Sequence, residues 1–139
     1  MIVVDASVAA KWFLNEAGTS QAQALLVEQE KFYAPELIKL EVLGAITRQM
    51  RLGKLKAPEI QALCKDWQAH LQNRALTLLP NDKVLDQAIE FSILYKHGLA
   101  DCMYLAASQL TGLPLITADR TFYERCHSEH SVKLLSTDK

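Results

Sequence analysis

Short apolar runs alternate with amphipathic segments along this chain, and the alternation predicts an α/β fold. The runs are continuously apolar, as expected for strands that are buried on both faces of a sheet. We predict strands at residues 2–4, 31–34, 75–79, 113–117 and 132–135. Because helical segments separate them, we expect a three-layer α/β/α sandwich around a central, mainly parallel sheet.

The segments between these runs carry apolar residues at helical spacing. Predicted helices cover residues 19–29, 82–95 and 101–110, and others begin at Pro35, Pro58 and Thr121. In the helix predicted to begin at Pro35, apolar residues at i, i+3, i+4, i+7 and i+8 predict a core-facing stripe that includes an acid. The stripe consists of Leu37, Leu40, Glu41, Gly44 and Ala45. Asn81 is predicted to cap one helix, and Gly98 to terminate it.

Length and charge limit the possible functions. The 139 residues predict one domain, spanning 1–139, and half of them are hydrophobic. The net charge is −1, so nucleic-acid binding would require a local basic patch. Arg48, Arg51, Lys54 and Lys56 form one candidate segment, although a solvated helix end and loop is the preferred explanation.

Cysteine usage and hydropathy indicate a compartment. The three cysteines are odd in number and form no CxxC motif, which favours reduced thiols. No basic segment precedes the apolar N-terminal run, and Asp5 and Lys11 interrupt it, so we expect no secretory signal. No uncharged stretch reaches the roughly 20 residues that a transmembrane helix needs. We therefore expect a cytoplasmic protein without a membrane span.

Four acids lie in or beside core-forming segments, where carboxylates are costly to bury. Asp5 ends the first strand, Glu41 lies on a helical stripe, Asp101 opens a helix and Asp119 follows a strand. The carboxyl ends of parallel strands share one edge of the sheet, and the helices that follow begin there. The four acids can therefore converge. Carboxylate oxygens suit hard cations, so a Mg²⁺ or Mn²⁺ site for phosphodiester hydrolysis is one interpretation.

Each acid also has a purely structural interpretation. Asp101 could cap its helix, and Asp119 could be a turn residue. Glu41 could reach the edge of its stripe and pair with Lys39 or Arg48. The ordered set of four is better evidence for a site than any one member.

The chain resembles the PIN-domain nucleases, and more narrowly the VapC-type toxins of toxin–antitoxin pairs. Four blocks in the right order carry the resemblance, which covers nearly the whole chain. One departure is Cys102-Met103, where the family often has Ala-Leu. The blocks are Val3-Val4-Asp5-Ala6-Ser7-Val8, Pro35-Glu36-Leu37 through Glu41-Val42, Gly98-Leu99-Ala100-Asp101 with Tyr104-Leu105-Ala106, and Leu115-Ile116-Thr117-Ala118-Asp119.

This resemblance implies a PIN-like fold and a Mg²⁺- or Mn²⁺-dependent endoribonuclease that leaves 5′-phosphate and 3′-hydroxyl ends. It implies a metal-binding quartet, with hydroxyls from Ser7 and Thr117 beside it. It further implies a homodimer and an inhibiting antitoxin. The quartet is Asp5, Glu41, Asp101 and Asp119.

Two other functions are compatible with part of the pattern. A non-catalytic module could bind RNA or a protein partner in the same acidic pocket, for example through the partner's arginine. A phosphorylation receiver domain also has acids at strand ends, but it needs adjacent acids and a late lysine that this chain lacks. The sequence specifies neither the RNA target nor the number of cations. It assigns no role to His70 or His97.

Overall fold

The computed structural model of the protein describes residues 1–72 and 75–137. Within these residues, five strands alternate with seven α-helices, and a 3₁₀ turn occupies Ala10–Trp12. The strands are β1 (Ile2–Val4), β2 (Phe32–Pro35), β3 (Leu76–Leu79), β4 (Leu115–Thr117) and β5 (Val132–Leu134). The helices are α1 (Ala6–Ala9), α2 (Thr19–Glu28), α3 (Ile38–Arg51), α4 (Ala57–Leu71), α5 (Asn81–Tyr95), α6 (Leu99–Thr111) and α7 (Arg120–Cys126).

The strands form one sheet in the order β3-β2-β1-β4-β5, and every described pair is parallel. From β1 the chain winds outward through β2 and β3, then returns to place β4 on the other side of β1. The strand order therefore reverses between β1 and β4, where open α/β sheets form their crevices. Val4 is in register with Ile116, so the residues after both strands emerge side by side.

Helices cover both faces of the sheet, which confirms the three-layer α/β/α prediction. Helix α6 packs on β1, β2 and β4 and on α5. All of its residues from 102 to 108 are buried, because neighbouring elements surround the helix. Among the described residues, no helix combines the length and the apolarity that spanning a bilayer requires.

The predicted apolar stripe of α3 was wrong. The buried residues are Ile38, Val42 and Ile46, whereas Leu40 is 70% exposed and Gly44 is also exposed. Pro35 ends β2 and does not begin α3. Glu41 consequently lies at the border of the buried stripe, where its carboxylate reaches a pocket.

Helix α5 ends at Tyr95 as predicted, but the residues expected to cap and terminate it have other roles. The Asn81 side chain accepts a hydrogen bond from the Leu37 backbone N–H at 3.0 Å, so it ties α5 to the start of α3 and does not cap its own helix. Lys96, with φ of 50°, takes the left-handed position that ends α5. Gly98 instead precedes the first turn of α6.

Candidate active site

A pocket of about 380 Å³ opens where the strand order reverses. All four predicted acids line it, although they come from four separate parts of the chain. Asp5 and Asp119 follow β1 and β4, and Glu41 and Asp101 lie in the first turns of α3 and α6. The predicted convergence of the acids is therefore present in the fold.

Asp5 is the most deeply buried of the four, with 4% of its surface exposed. It caps α1, accepting a hydrogen bond from the Val8 N–H at 3.2 Å. Burial raises the pKa of Asp5 from 3.8 to about 6, and the charge of Asp101 adds to this rise. Hydrogen bonds from Ser7, Thr117 and Val8 oppose it. The fold thus holds the Asp5 carboxyl group where burial disfavours its charged form.

Ser7 and Thr117 form a hydroxyl bridge beneath the acids. Ser7 Oγ donates to Asp5 Oδ1 at 2.5 Å and accepts from the Ala118 N–H at 2.9 Å. Its oxygen lies 3.5 Å from Thr117 Oγ1, which accepts from the Asp119 N–H at 3.1 Å. The two hydroxyls therefore link the end of β1 to the end of β4 and set the spacing of Asp5 and Asp119.

Asp119 caps α7 by accepting a hydrogen bond from the Phe122 N–H at 3.1 Å. Only Oδ1 makes this bond, so the second carboxylate oxygen remains available to the pocket. The turn and the site interpretations of Asp119 are thus compatible, because one oxygen orients the group and the other can bind a ligand.

Glu41 pairs with a tyrosine and not with the suggested bases. The Tyr104 hydroxyl donates to Glu41 Oε1 at 2.7 Å, while Lys39 lies 3.9 Å from Glu36. Burial raises the pKa of Glu41, the Tyr104 bond lowers it, and the charge of Asp101 raises it further. Tyr104 was present in the family-like block, but its link to Glu41 could not be inferred from spacing.

Asp101 does not cap α6; its Oδ2 lies 2.7 Å from His97 Nε2. The sequence assigned no role to His97, and this contact is its clearest functional feature. The four-residue separation offered a weak signal. It was obscured because His97 lies before the helix, where i, i+4 neighbours need not face one another.

The donor chemistry of the pocket fits a divalent cation. Potential ligand atoms of His97, Asp101 and Asp119 all lie within 4.8 Å of one another. Asp5 and Glu41 add further oxygens, and burial raises the pKa of both carboxyl groups, with a smaller contribution from the charge of Asp101. Oxygen donors at this density suit Mg²⁺ or Mn²⁺.

Two basic residues share the pocket wall with the acids. Lys11 donates to Glu16 Oε1 at 3.1 Å and to the Ala17 carbonyl at 2.7 Å, so its charge is already engaged. Arg48 is exposed and, among the residues that the structure describes, its guanidinium makes neither an ion pair nor a hydrogen bond. Of the predicted basic segment, Arg48 is the member that lines the pocket. Arg120, next to Asp119 in the sequence, is exposed and lies outside this lining.

Comparison with known protein families identifies the family to which this chain belongs. The PIN domain family model matches residues 2–127, which include every element from β1 to α7 and all four acids. The chain belongs to the PIN domain family. The resemblance inferred from the four sequence blocks is thereby confirmed.

Individual relatives agree with this PIN domain assignment. Ribonuclease VapC3 of Pyrobaculum aerophilum is 28% identical over 127 residues, covering 89% of this chain and 93% of the relative. Mycobacterium tuberculosis VapC20, described as a sarcin-ricin loop cleaving toxin, has a TM-score of 0.71 at 15% identity, covering 91% and 95% of the two chains. A toxin–antitoxin complex from Klebsiella pneumoniae gives 0.70 at 15% identity, covering 99% and 100%. At these identities, the two structures establish that the PIN fold is shared.

Proposed function

We propose that this PIN domain protein is a Mg²⁺- or Mn²⁺-dependent endoribonuclease and the toxin of a toxin–antitoxin pair. The convergence of Asp5, Glu41, Asp101 and Asp119 in one pocket is the observation that carries the proposal. The similarity to Ribonuclease VapC3 supports RNA as the substrate. The free thiols of all three cysteines support a cytoplasmic site of action.

The reaction is hydrolysis of a phosphodiester. The oxygen of a water molecule forms a bond to phosphorus, the bond from phosphorus to the 3′ oxygen breaks, and that oxygen takes up a proton. The products are a 5′-phosphate and a 3′-hydroxyl. A divalent cation, when bound, supplies Lewis acidity and lowers the pKa of water. The four carboxylates hold the cation, while Ser7 and Thr117 fix the positions of Asp5 and Asp119.

RNA also needs a contact for its phosphates, because the pocket itself is acidic. Arg48 supplies a cation on the pocket wall without a competing partner among the described residues. A guanidinium binds phosphate oxygens through two parallel hydrogen bonds. Arg48 therefore positions a phosphate beside the carboxylates.

An antitoxin would inhibit by occupying the same pocket. The similar Klebsiella pneumoniae structure is a toxin–antitoxin complex, which supports a protein partner of this kind. An acidic pocket of about 380 Å³ accepts an arginine side chain from a partner. Such a side chain would neutralise the carboxylates and exclude the cation.

The exposed side of α5 supports a homodimer. Three large apolar residues of this helix, Ile89, Ile93 and Leu94, are 41%, 74% and 64% exposed. Leu99, at the start of α6, is 43% exposed. Apolar side chains grouped in this way commonly mark a protein interface. A second copy that packs α5 against α5 would cover them.

The decisive experiment is cleavage of a labelled RNA panel, including tRNA, in Mg²⁺, Mn²⁺ or EDTA. We expect cleavage that requires a divalent cation and is lost in Asp101→Asn. Asp82→Asn is the matched control, because Asp82 is an exposed acid in the first turn of α5. Folded, partner-free protein that binds RNA without cleaving it would instead establish the non-catalytic binding module.

A further inference from the structure

His97 occupies an unusual position next to the pocket. Its Nε2 lies 2.7 Å from Asp101 Oδ2, and its Nδ1 lies 2.9 Å from an Arg125 guanidinium nitrogen. The side chain is only 10% exposed. Both ring nitrogens are therefore engaged by charged residues, one from α6 and one from α7.

These two contacts determine the tautomer of the ring. A guanidinium has donors and no acceptor, so Nδ1 must be the acceptor in its contact with Arg125. The ring hydrogen of the neutral imidazole then lies on Nε2, which donates to the Asp101 carboxylate. With its hydrogen on Nε2, His97 cannot use that nitrogen to bind a cation. Its chemistry is that of a donor that orients a ligand.

The surroundings of His97 restrict its rotation. The ring packs against the buried Phe122 with centroids 4.8 Å apart and an interplanar angle of 31°. The His97 carbonyl accepts from Ser92 Oγ at 2.6 Å, and the neighbouring Lys96 carbonyl accepts from Arg125 at 3.1 Å. Main chain and side chain are thus both fixed.

The short helix α7 connects two of the acids through these contacts. Asp119 caps its first turn, while Phe122 and Arg125 project from the same helix to hold His97. We infer that His97 is a positioning residue that orients the Asp101 carboxylate toward the cation, and that Arg125 fixes the tautomer required for this. The inference rests on the proposed cation dependence of the nuclease.

Two substitutions of His97 separate orientation from other roles. A glutamine amide nitrogen can replace Nε2–H as the donor to Asp101, whereas leucine fills similar space without a donor. Mn²⁺ binding is measured by titration calorimetry on the protein alone, and thermal unfolding in EDTA confirms folding. We expect His97→Leu to weaken Mn²⁺ binding about 10–100-fold, and His97→Gln to restore most of the loss.

A second measurement reads the tautomer directly. Long-range ¹H–¹⁵N NMR of the cation-free protein distinguishes hydrogen on Nε2 from hydrogen on Nδ1. We expect the Nε2–H form in wild type and a loss of that preference in Arg125→Met. Arg120→Met is the matched control, because Arg120 lies on the same helix and does not contact His97 among the described interactions.

The outcomes distinguish this inference from the proposed function. Cleavage of RNA with equal Mn²⁺ affinity in wild type and His97→Leu overturns the inference and leaves the nuclease intact. Equal losses in His97→Gln and His97→Leu, or an Nδ1–H tautomer in wild type, also overturn it in favour of a direct ligand or a structural role. Mn²⁺ binding that depends on the His97 donor, without RNA cleavage, supports the inference and rejects the nuclease. Absence of Mn²⁺ binding to wild type rejects both.

Discussion

The hydroxyl of Tyr104 donates a 2.7 Å hydrogen bond to Oε1 of Glu41, joining α6 to α3 at the wall of the pocket. Tyr104 is 1% exposed, and burial raises the pKa of its phenol, so the group remains a neutral donor. The carboxylate of Glu41 is thereby fixed at one oxygen, and its other oxygen is free to bind a cation.

Replacing Tyr104 with phenylalanine tests this link. Phenylalanine keeps the buried ring, and the released Glu41 carboxylate can regain water because it is only partly buried. We expect Mn²⁺ affinity to fall about 10–100-fold, as for other partners of metal ligands. Calorimetric titration is the measurement. Tyr33→Phe is the control, since its hydroxyl donates to the Met1 sulfur at 3.9 Å and Tyr33 does not line the pocket. Equal affinities in all three proteins would contradict the link.

Asp5 is expected to reduce the stability of the cation-free protein. Because its pKa is raised from 3.8 to about 6, the folded chain holds this proton more tightly than the unfolded chain. The free energy of unfolding therefore falls as the pH rises from about 4 to 6 and stays lower above that range. At pH 7 the ionised group costs the fold up to about 3 kcal/mol.

We accordingly expect Asp5→Asn to raise the free energy of unfolding in EDTA at pH 7 by up to about 3 kcal/mol while abolishing cleavage. Added Mn²⁺ should raise the Tm of wild type, and this increase should shrink in the variant. Urea unfolding and thermal melts provide both readouts. If Asp5→Asn is less stable than wild type in EDTA at pH 7, the charge of Asp5 is not the source of strain.

Arg48 is expected to contribute to RNA affinity. In an Asp101→Asn background, which prevents cleavage, Arg48→Ala should weaken RNA binding and reduce the slope of log K against log salt by about 1. Arg51→Ala is the matched control, because Arg51 lies in the last turn of the same helix, outside the pocket. Fluorescence anisotropy at several salt concentrations measures both. Identical slopes for Arg48→Ala and Arg51→Ala would assign Arg48 to the solvated helix surface.

Ile93→Glu tests the dimer through α5. A charge at this position would have to be buried in an α5–α5 interface, so we expect the variant to be monomeric. Val27→Glu is the control, because Val27 on α2 is 89% exposed and lies outside the proposed interface. Light scattering after size-exclusion chromatography gives the mass of each. A dimer that survives in Ile93→Glu would place the interface elsewhere.

His70 provides a prediction that is independent of the pocket. It lies among Trp12, Phe13 and Trp67, and its Nε2 is buried without a hydrogen-bond partner among the described residues. Burial lowers the pKa of His70 below its usual value of 6.5. At about pH 6.5 and below, the unfolded chain therefore protonates this imidazole more readily than the folded chain does. The contribution of neutral His70 to the free energy of unfolding is complete above about pH 6.5 and declines as the pH falls through the lowered pKa.

We therefore expect His70→Phe to lose less stability than wild type between pH 7 and pH 5. Urea unfolding at both pH values measures the difference. His127→Phe, at an exposed position directly after α7, should retain the wild-type pH dependence. If the free energy of unfolding declines equally in His70→Phe and wild type, protonation of His70 is not the source of the pH dependence.

The sequence predicted the location of the pocket because strand ends are readable from apolar runs. Asp5 and Asp119 each follow such a run, and parallel topology then places them at one edge. The starts of α3 and α6 brought Glu41 and Asp101 to the same edge. Whether these acids bind a cation remains a prediction.

Apolar periodicity and capping signals could not predict contacts between segments that are distant in the sequence. Leu40 was predicted to be buried because of its helical spacing, yet it is exposed. The face of α3 that packs into the core is the one that carries Ile38, Val42 and Ile46. Asn81 is a residue type that commonly caps helices, but its side-chain oxygen instead accepts a hydrogen bond from the Leu37 N–H. Helix α1 was missed because four residues are too few to show a periodic pattern. His97 required α7 to be in place before its role was visible.

The central position of β1 determines when the pocket can assemble during synthesis. Val3 pairs with Leu115, so β1 cannot complete its pairing in the middle of the sheet until β4 has been synthesised. Asp5 and Asp119 come together in the same step. A nascent chain that lacks β4 therefore has no assembled pocket, and the proposed cleavage activity can arise only after β4 has been synthesised.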